Sequence, residues 1–440
     1  MRPELMRAKA ALAVAAMAVS VAYLPVGVRS DTGAGPDVAR LYVFQNDETD
    51  RLDVHVFIPY RAEIPGLAHY VEHLAWLSAT KDWASLRLGR TGAWTNPNAF
   101  HYWISARNSS LDELLGTIGG VFGPITLTEQ YALSEREIIL REYRQQEFEN
   151  PWRRIYERIN AELHSTNPTA VPVLGDPEDI RSLDLLPARK MHADTHLVSD
   201  AVFVIDGNIS EDAALRALRE LGFPETGVNG APIHHPVFSL APRERIVIRL
   251  AHDALPPQVV WRRAVRLAEE MPYEVLASRA GLLAMILAAN RPGGLVKTLQ
   301  FDRAVARTFN IWLHAIDGRH VELSFIGQPD RGMTMTGLVE AFEQALAQTA
   351  SAGIPQATYD QVFRQHARKW PDWDNRSEVS RHMKELTLAR LSEWRPPPDA
   401  ETIRELHGQL PLPAIDELLG QLAGEGRTVV TFIGPDGMTE

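Results

Sequence analysis

Along the chain, two short segments rich in β-branched and aromatic residues come first, Arg40 to Phe44 and Leu52 to Tyr60, parted by the turn formers Asn46, Asp47, Glu48, Thr49 and Asp50. They read as a hairpin or as neighbouring strands. Pro65 then opens an apolar-periodic stretch from Ala68 to about Thr80, which predicts a helix; proline suits the first helical turn because its missing N–H has no partner there anyway. A loop over Lys81 to Trp94 leads to an alternating strand, Asn98 to Ala106, and two or three helices run to about Ser165. Ala201 to Gly207 reads as an apolar strand, followed by a helix from Ser210 to Gly222 with a capping serine.

The same order then recurs. Arg245-Ile246-Val247-Ile248 echoes Arg40-Leu41-Tyr42-Val43, the helix opening at Pro272 echoes that at Pro65, and the strand ending at Gly434 echoes the one ending at Gly207. The spacing drifts only by what loop insertions supply. Two homologous α+β repeats are predicted, each a mainly antiparallel sheet packed with helices, over residues 36–222 and 243–440. The Pro- and Gly-rich stretch 223–242 between them reads as a linker.

Composition narrows the picture. The 440 residues are 45% hydrophobic and 23% charged, enough apolar material for sizeable cores, so neither disorder nor a small stapled scaffold fits. Arg2, Arg7 and Lys9 precede an apolar run from Ala10 to Val28, so residues 1–30 are read as a signal peptide or a membrane anchor, with the body exported. The expected location is the periplasm or the periplasmic face of the inner membrane. A net charge of −11 argues against a nucleic-acid partner. With no cysteine in the chain, any metal must be held by histidines and carboxylates.

Such a set is present. The helix after Pro65 carries His69-Tyr70-Val71-Glu72-His73, and positions i, i+3 and i+4 share one helical face. Two imidazoles can hold zinc, and Glu72 can reach a water beside it as general base. A third ligand must come from elsewhere, and the helix from about Thr128 to Glu149 offers Glu135 and Glu142, two turns apart on one face. One can ligate and the other can buttress a ligand. His234-His235 and the segment Lys369-Trp370-Pro371-Asp372-Trp373 carry no accompanying ligand pattern and read as structural.

At these residues the chain resembles the inverzincin zinc peptidases of the pitrilysin, insulin-degrading enzyme and mitochondrial processing peptidase family, whose motif is H-x-x-E-H. Gly92-Ala93-Trp94-Thr95-Asn96 and Glu135-Arg136-Glu137-Ile138-Ile139-Leu140-Arg141-Glu142 stand in the order of that family's G-A-x-x-N and E-R-x-x-I-x-x-E segments. The resemblance implies one zinc per chain on His69, His73 and Glu142, with Glu72 as base and Glu135 supporting a ligand. It also implies that the two repeats form half of a clam-shell chamber. An extended peptide would add as a strand along Asn96 to Ser105, with Asn96, Ala99 and Phe100 binding substrate and Phe100, Tyr102 and Trp103 lining side-chain pockets.

One departure stands out. Active members of the family commonly carry a substrate-binding Arg/Tyr pair in the second repeat, where this chain has Gln300 and Arg307. The expectation is therefore a zinc metalloendopeptidase subunit for extended or unfolded peptides, heterodimeric with a related chain that supplies the pair and lacks the zinc motif. Two alternatives stay open: a non-catalytic scaffold or chaperone-like subunit of the same fold, and an exported binding protein in which the motif is accidental.

Overall fold

The computed structural model describes residues 40–435 apart from 47–48, 62, 81–89, 108, 151, 165–170, 224–237, 239, 241, 243 and 254, and apart from the side chains of 147–149. The N-terminal signal or anchor segment, His234-His235 and most of the linker lie outside these residues. No described helix is long and apolar enough to cross a membrane.

The first repeat contains β1 (Arg40–Gln45), β2 (Arg51–Pro59), α1 (Leu67–Thr80), β3 (Arg90–Thr95), β4 (Ala99–Arg107), α2 (Leu111–Gly119), α3 (Glu129–Glu149), α4 (Trp152–Leu163), α5 (Pro177–Ser182), α6 (Leu185–Thr195), β5 (Val202–Gly207) and α7 (Glu211–Glu220). The second contains β6 (Arg245–Ala251), β7 (Gln258–Arg266), α8 (Tyr273–Leu287), β8 (Ala306–Ala315), β9 (His320–Pro329), α9 (Met335–Ala352), α10 (Gln356–Ala367), α11 (Arg376–Ser392), α12 (Ala400–Glu405), α13 (Leu412–Ala423) and β10 (Arg427–Gly434). Each repeat folds into a five-stranded mixed sheet of one topology, ordered β1-β5-β2-β4-β3 and β6-β10-β7-β9-β8. In both, the first strand pairs parallel with the last and every other pairing is antiparallel. The fold is α+β with two repeats, as the sequence pattern predicts.

The segment read as a loop from Lys81 to Trp94 ends in strand β3. Its Gly92 and threonines give little strand signal by themselves, and pairing with β4 makes it a strand. Gly92 lies opposite Trp103, whose indole nitrogen would sit 2.6 Å from a Cβ at that position, so the bare glycine lets the two strands close. With β3 in place, β4 is paired on both sides and the edge strand on this side of the sheet is β3, β1 being the other. This corrects the expectation that a peptide adds along Asn96 to Ser105.

Alternation along the strands gives each sheet two apolar faces. On β2, Val54, Val56 and Ile58 point to the repeat's own helices, joining Tyr70, Val71 and Leu74 of α1, while Phe57 points the other way. That outer face, with Phe44, Ala99, Val202 and Val204, is covered by Met383, Leu386 and Leu391 of α11, which belongs to the second repeat. The loan is reciprocal, since Ile155, Ile159 and Leu163 of α4 cover Val260, Ala264, Val429 and Ile433 on the outer face of the second sheet.

Buried charge accompanies both exchanges. Under α4, Arg262 holds fully buried Glu322 through two hydrogen bonds of 2.5 and 2.8 Å and reaches Asn160 Oδ1 at 2.6 Å, and His164 Nε2 lies 3.1 Å from Glu322. Under α11, Lys384 Nζ meets Asp206 at 2.5 Å.

Candidate metal centre

Helix α1 starts where it does because of Gly66. Its φ of +75° is left-handed, and a Cβ there would come within 2.8 Å of the Leu174 carbonyl, so glycine alone fits the turn. Gly66 N donates to Pro172 O at 3.3 Å, which ties the segment before α5 to the helix start. Tyr70, Val71 and Leu74 then anchor the apolar side of α1 in the core, and His69, Glu72 and His73 emerge on the opposite side.

Three donors converge there. His69 Nε2 is 3.8 Å and His73 Nε2 is 3.5 Å from Glu142 Oε2, and one ligand atom from each of the three residues fits within 4.8 Å. The His73 Nδ1–H donates to Glu135 Oε2 at 3.1 Å, which turns the Nε2 lone pair toward Glu142. With Zn–N and Zn–O distances of about 2.0–2.2 Å, tetrahedral ligands stand roughly 3.4 Å apart, so the set matches zinc in spacing and in donor chemistry. Among the described residues no other group of three such side chains comes together.

Electrostatics support the same reading. In the metal-free protein, burial and the neighbouring His73 push the His69 imidazole down to about 4 against the pull of Glu142. Burial opposes charge on His73 too, but its hydrogen bonds to Glu135 and Glu142 prevail and raise it to about 10. Glu142 is held below the usual carboxylate range, chiefly by its hydrogen bond with His73. The Glu142 carboxylate facing two imidazoles makes a cluster that a cation would complement.

Glu72 is 5% exposed, and its Oε2 accepts from Thr95 Oγ1 at 2.7 Å. Burial pushes its carboxyl up to about 7, which His73 and Thr95 only partly offset. A carboxyl poised there can take and return a proton near neutrality.

The triad and Glu72 open into a cavity of about 480 Å³. Its walls include Ala93, Trp94 and Thr95 of β3, Gln146 of α3, Arg153 and Glu157 of α4, and the segment Val171 to Leu174. The β3 edge of the sheet therefore runs beside the triad.

The residues expected to bind substrate are placed differently. Asn96 is spent on structure: Oδ1 accepts from the Asn98 and Ala99 amides at 2.9 Å, the carbonyl accepts from Tyr60 Oη, and Nδ2 donates to Ser392 O at the end of α11. Ala99 and Phe100 are completely buried, Ala99 under α11 and Phe100 against the repeat's own helices. Neither lines the cavity, because β4 lies one strand in from the edge. Tyr102 is buried too, its hydroxyl 2.8 Å from His196 Nε2, and Trp103 covers Gly92. Gln300, in a π-helical turn at Lys297–Asp302, donates to the Arg307 carbonyl at 3.3 Å, and neither residue lines the triad's cavity. Sequence reasoning missed Arg153, Glu157 and the segment Val171 to Leu174 as cavity walls, since no pattern distinguishes them from an ordinary helix and loop.

No protein-family model and no curated protein sequence matches the chain. Solved structures do. A protease from Helicobacter pylori is similar over 94% of this chain and 100% of its own, with a TM-score of 0.71 at 16% identity. The periplasmic protease PqqL from Escherichia coli gives a TM-score of 0.73 at 16% identity over 94% of this chain, which spans about half of PqqL (49%). A peptidase M16 inactive domain from Pseudomonas fluorescens, 14% identical, gives 0.69 over 94% of this chain and 99% of that one. The chain has the two-repeat fold of M16 peptidases.

Proposed function

We propose that the chain is a zinc metalloendopeptidase subunit acting on extended peptides or unfolded segments. The observation that carries this is the convergence of His69, His73 and Glu142 beside the buried carboxyl of Glu72, in a cavity bordered by a free strand edge. The fold's likeness to peptidases supports it. Zinc held by the triad would supply a Lewis acid that polarises a peptide carbonyl and makes water acidic enough to attack near neutral pH.

The chain's own residues do the rest. Glu72 takes the proton of the attacking water and returns it to the leaving amine, and Thr95 fixes which way that carboxylate faces. Glu135 keeps His73 in the tautomer that leaves Nε2 free. The backbone of β3 offers hydrogen bonds to a peptide added in extended form, which selects for conformation more than for sequence.

Because Gln300 and Arg307 supply no Arg/Tyr pair at the cavity, a homologous chain lacking the zinc motif is proposed to complete the site. Export to the periplasm, through a cleaved signal or an anchor in residues 1–30, accords with the periplasmic location of PqqL. The absent pair, together with the likeness to an M16 inactive domain, favours one second reading, a non-catalytic subunit of the same fold. The test is cleavage of unfolded peptides by the zinc-loaded chain, alone and with a related chain from the same source. Turnover that Glu72→Gln abolishes supports the proposal, and no turnover in either setting supports the second reading.

A further inference from the structure

Among the described cavity residues, His69 at Nδ1 and Arg153 at two nitrogens have buried donors or acceptors without a partner, and Arg153 is the charged one. It stands on the first turn of α4, with Nη1 2.6 Å from Glu157 Oε1 one helical turn on and its guanidinium 4.5 Å from the centre of the Tyr143 ring. These contacts engage one nitrogen and one face. Nε and Nη2 are buried and have no hydrogen-bond partner among the described residues. Those two N–H groups lie along one edge of the guanidinium, the edge that grips both oxygens of a carboxylate. Burying such donors without a partner is unfavourable, so something that enters the cavity must meet them, water in the resting protein and a better acceptor when one is bound.

The acceptor that fits this edge is an anion, which must enter against the carboxylates Glu72, Glu142 and Glu157 on the same walls. The cavity that holds Arg153 is the one into which His69, Glu72, His73 and Glu142 open, and the nearby wall from Val171 to Leu174 is mostly apolar, which strengthens a charge-assisted bond. We infer that Arg153 forms a carboxylate-binding subsite beside the triad, taking either an acidic side chain close to the scissile bond or the free C-terminus of a short peptide. This rests on the peptidase reading above and adds a substrate class to it.

The experiment uses the full-length, zinc-loaded Glu72→Gln protein, so that bound peptides persist, and reads fluorescence anisotropy. Labelled extended peptides are compared in pairs that differ by Glu against Gln at one position, or by a free against an amidated C-terminus; the pair that responds tells the two sources apart. One carboxylate should tighten binding on the order of tenfold. Arg153→Met should reduce that preference to within about twofold, and Arg153→Lys should restore part of it. Glu157→Gln, which removes the competing charge without changing shape, should widen it, and this decides the matter if Arg153→Met does not fold. A preference that survives Arg153→Met, or that Glu157→Gln leaves unchanged, overturns the inference. Binding with no carboxylate preference overturns it alone. No binding of any peptide, with no cleavage by the parent chain either alone or with the related chain, overturns the peptidase reading and this inference together.

Discussion

The two repeats build the same gap, and among the described residues only the first brings three metal-ligating side chains together in it. In the first, the space between α1, the edge strand β3 and helix α3 is lined by two imidazoles and a carboxylate. In the second, the corresponding space between α8, β8 and α10 is a cavity of about 650 Å³ whose wall on the α8 side is Tyr273, Ala277, Gly281, Ala284, Met285 and Ala288, with His314, Lys369, Arg390 and Glu393 among its other walls. Helix α8 has no histidine, and its one carboxylate, Glu274, is bound through two hydrogen bonds of 2.6 and 2.7 Å to Arg390 of α11. Helix α10 contributes His366, buried and with neither ring nitrogen partnered among the described residues, but no second and third donor join it. Topology supplies the gap, and a metal centre needs three donors of the right kind from two helices besides. Duplication copies the first and leaves the second free to drift.

The largest expected effect tests that asymmetry at the reaction. Glu72→Gln should slow peptide cleavage by about 10²–10⁴-fold while leaving one zinc per chain, and His69→Ala should remove the zinc. Metal analysis of the purified variants reads both, and a zinc equivalent that survives His69→Ala would break the comparison. The next effect concerns how the repeats hold each other. Arg262→Met strands the fully buried Glu322 carboxylate beneath α4 and should cost about 3–5 kcal/mol in denaturant unfolding.

A third prediction follows from the raised Glu72 carboxyl. With a folded value near 7 against 4.5 when unfolded, the metal-free native state binds the extra proton between those limits. Stability from this group is therefore present at pH 4 and lost as pH rises through 7. Metal-free Glu72→Gln should match the parent near pH 4 and exceed it by about 3 kcal/mol at pH 8, measured by denaturation at each pH. A constant difference across that range would refute the assignment. The smallest effect is at the other exchanged helix. Lys384, with its side chain 21% exposed, forms a less buried pair with Asp206, so Lys384→Met should cost about 1 kcal/mol, well below Arg262→Met.

Much of this was legible in the residues, but unevenly. Strands β7 and β9 are not read from the sequence, whereas β1, β2, β4 and β5, and the echoes β6 and β10, announce themselves because buried strands concentrate valine, isoleucine and aromatic residues. Strand β3 does not, since Gly92 and its threonines make sense only against Trp103 across the ladder. Missing it moved the free edge one strand inward and turned Ala99 and Phe100, which are core residues, into expected peptide contacts. Local spacing puts His69, Glu72 and His73 on one face, whereas which carboxylate of α3 meets them depends on how two helices pack. The stripe of Ile155, Ile159 and Leu163 says that α4 buries one side and is silent on which sheet receives it.

That exchange has a consequence for how such a chain arises. Helices α4 and α11 hold the same place in their repeats, third after the fourth strand, and each covers the sheet of the other. Mutual lending of one equivalent element is the geometry of a domain-swapped pair with two-fold symmetry. The chain carries that mutual lending within one polypeptide, with residues 223–242 standing in sequence between the two repeats. Once joined, the halves need no longer be identical, which is the condition for one to keep the His/His/Glu donor set while the other keeps only the shape.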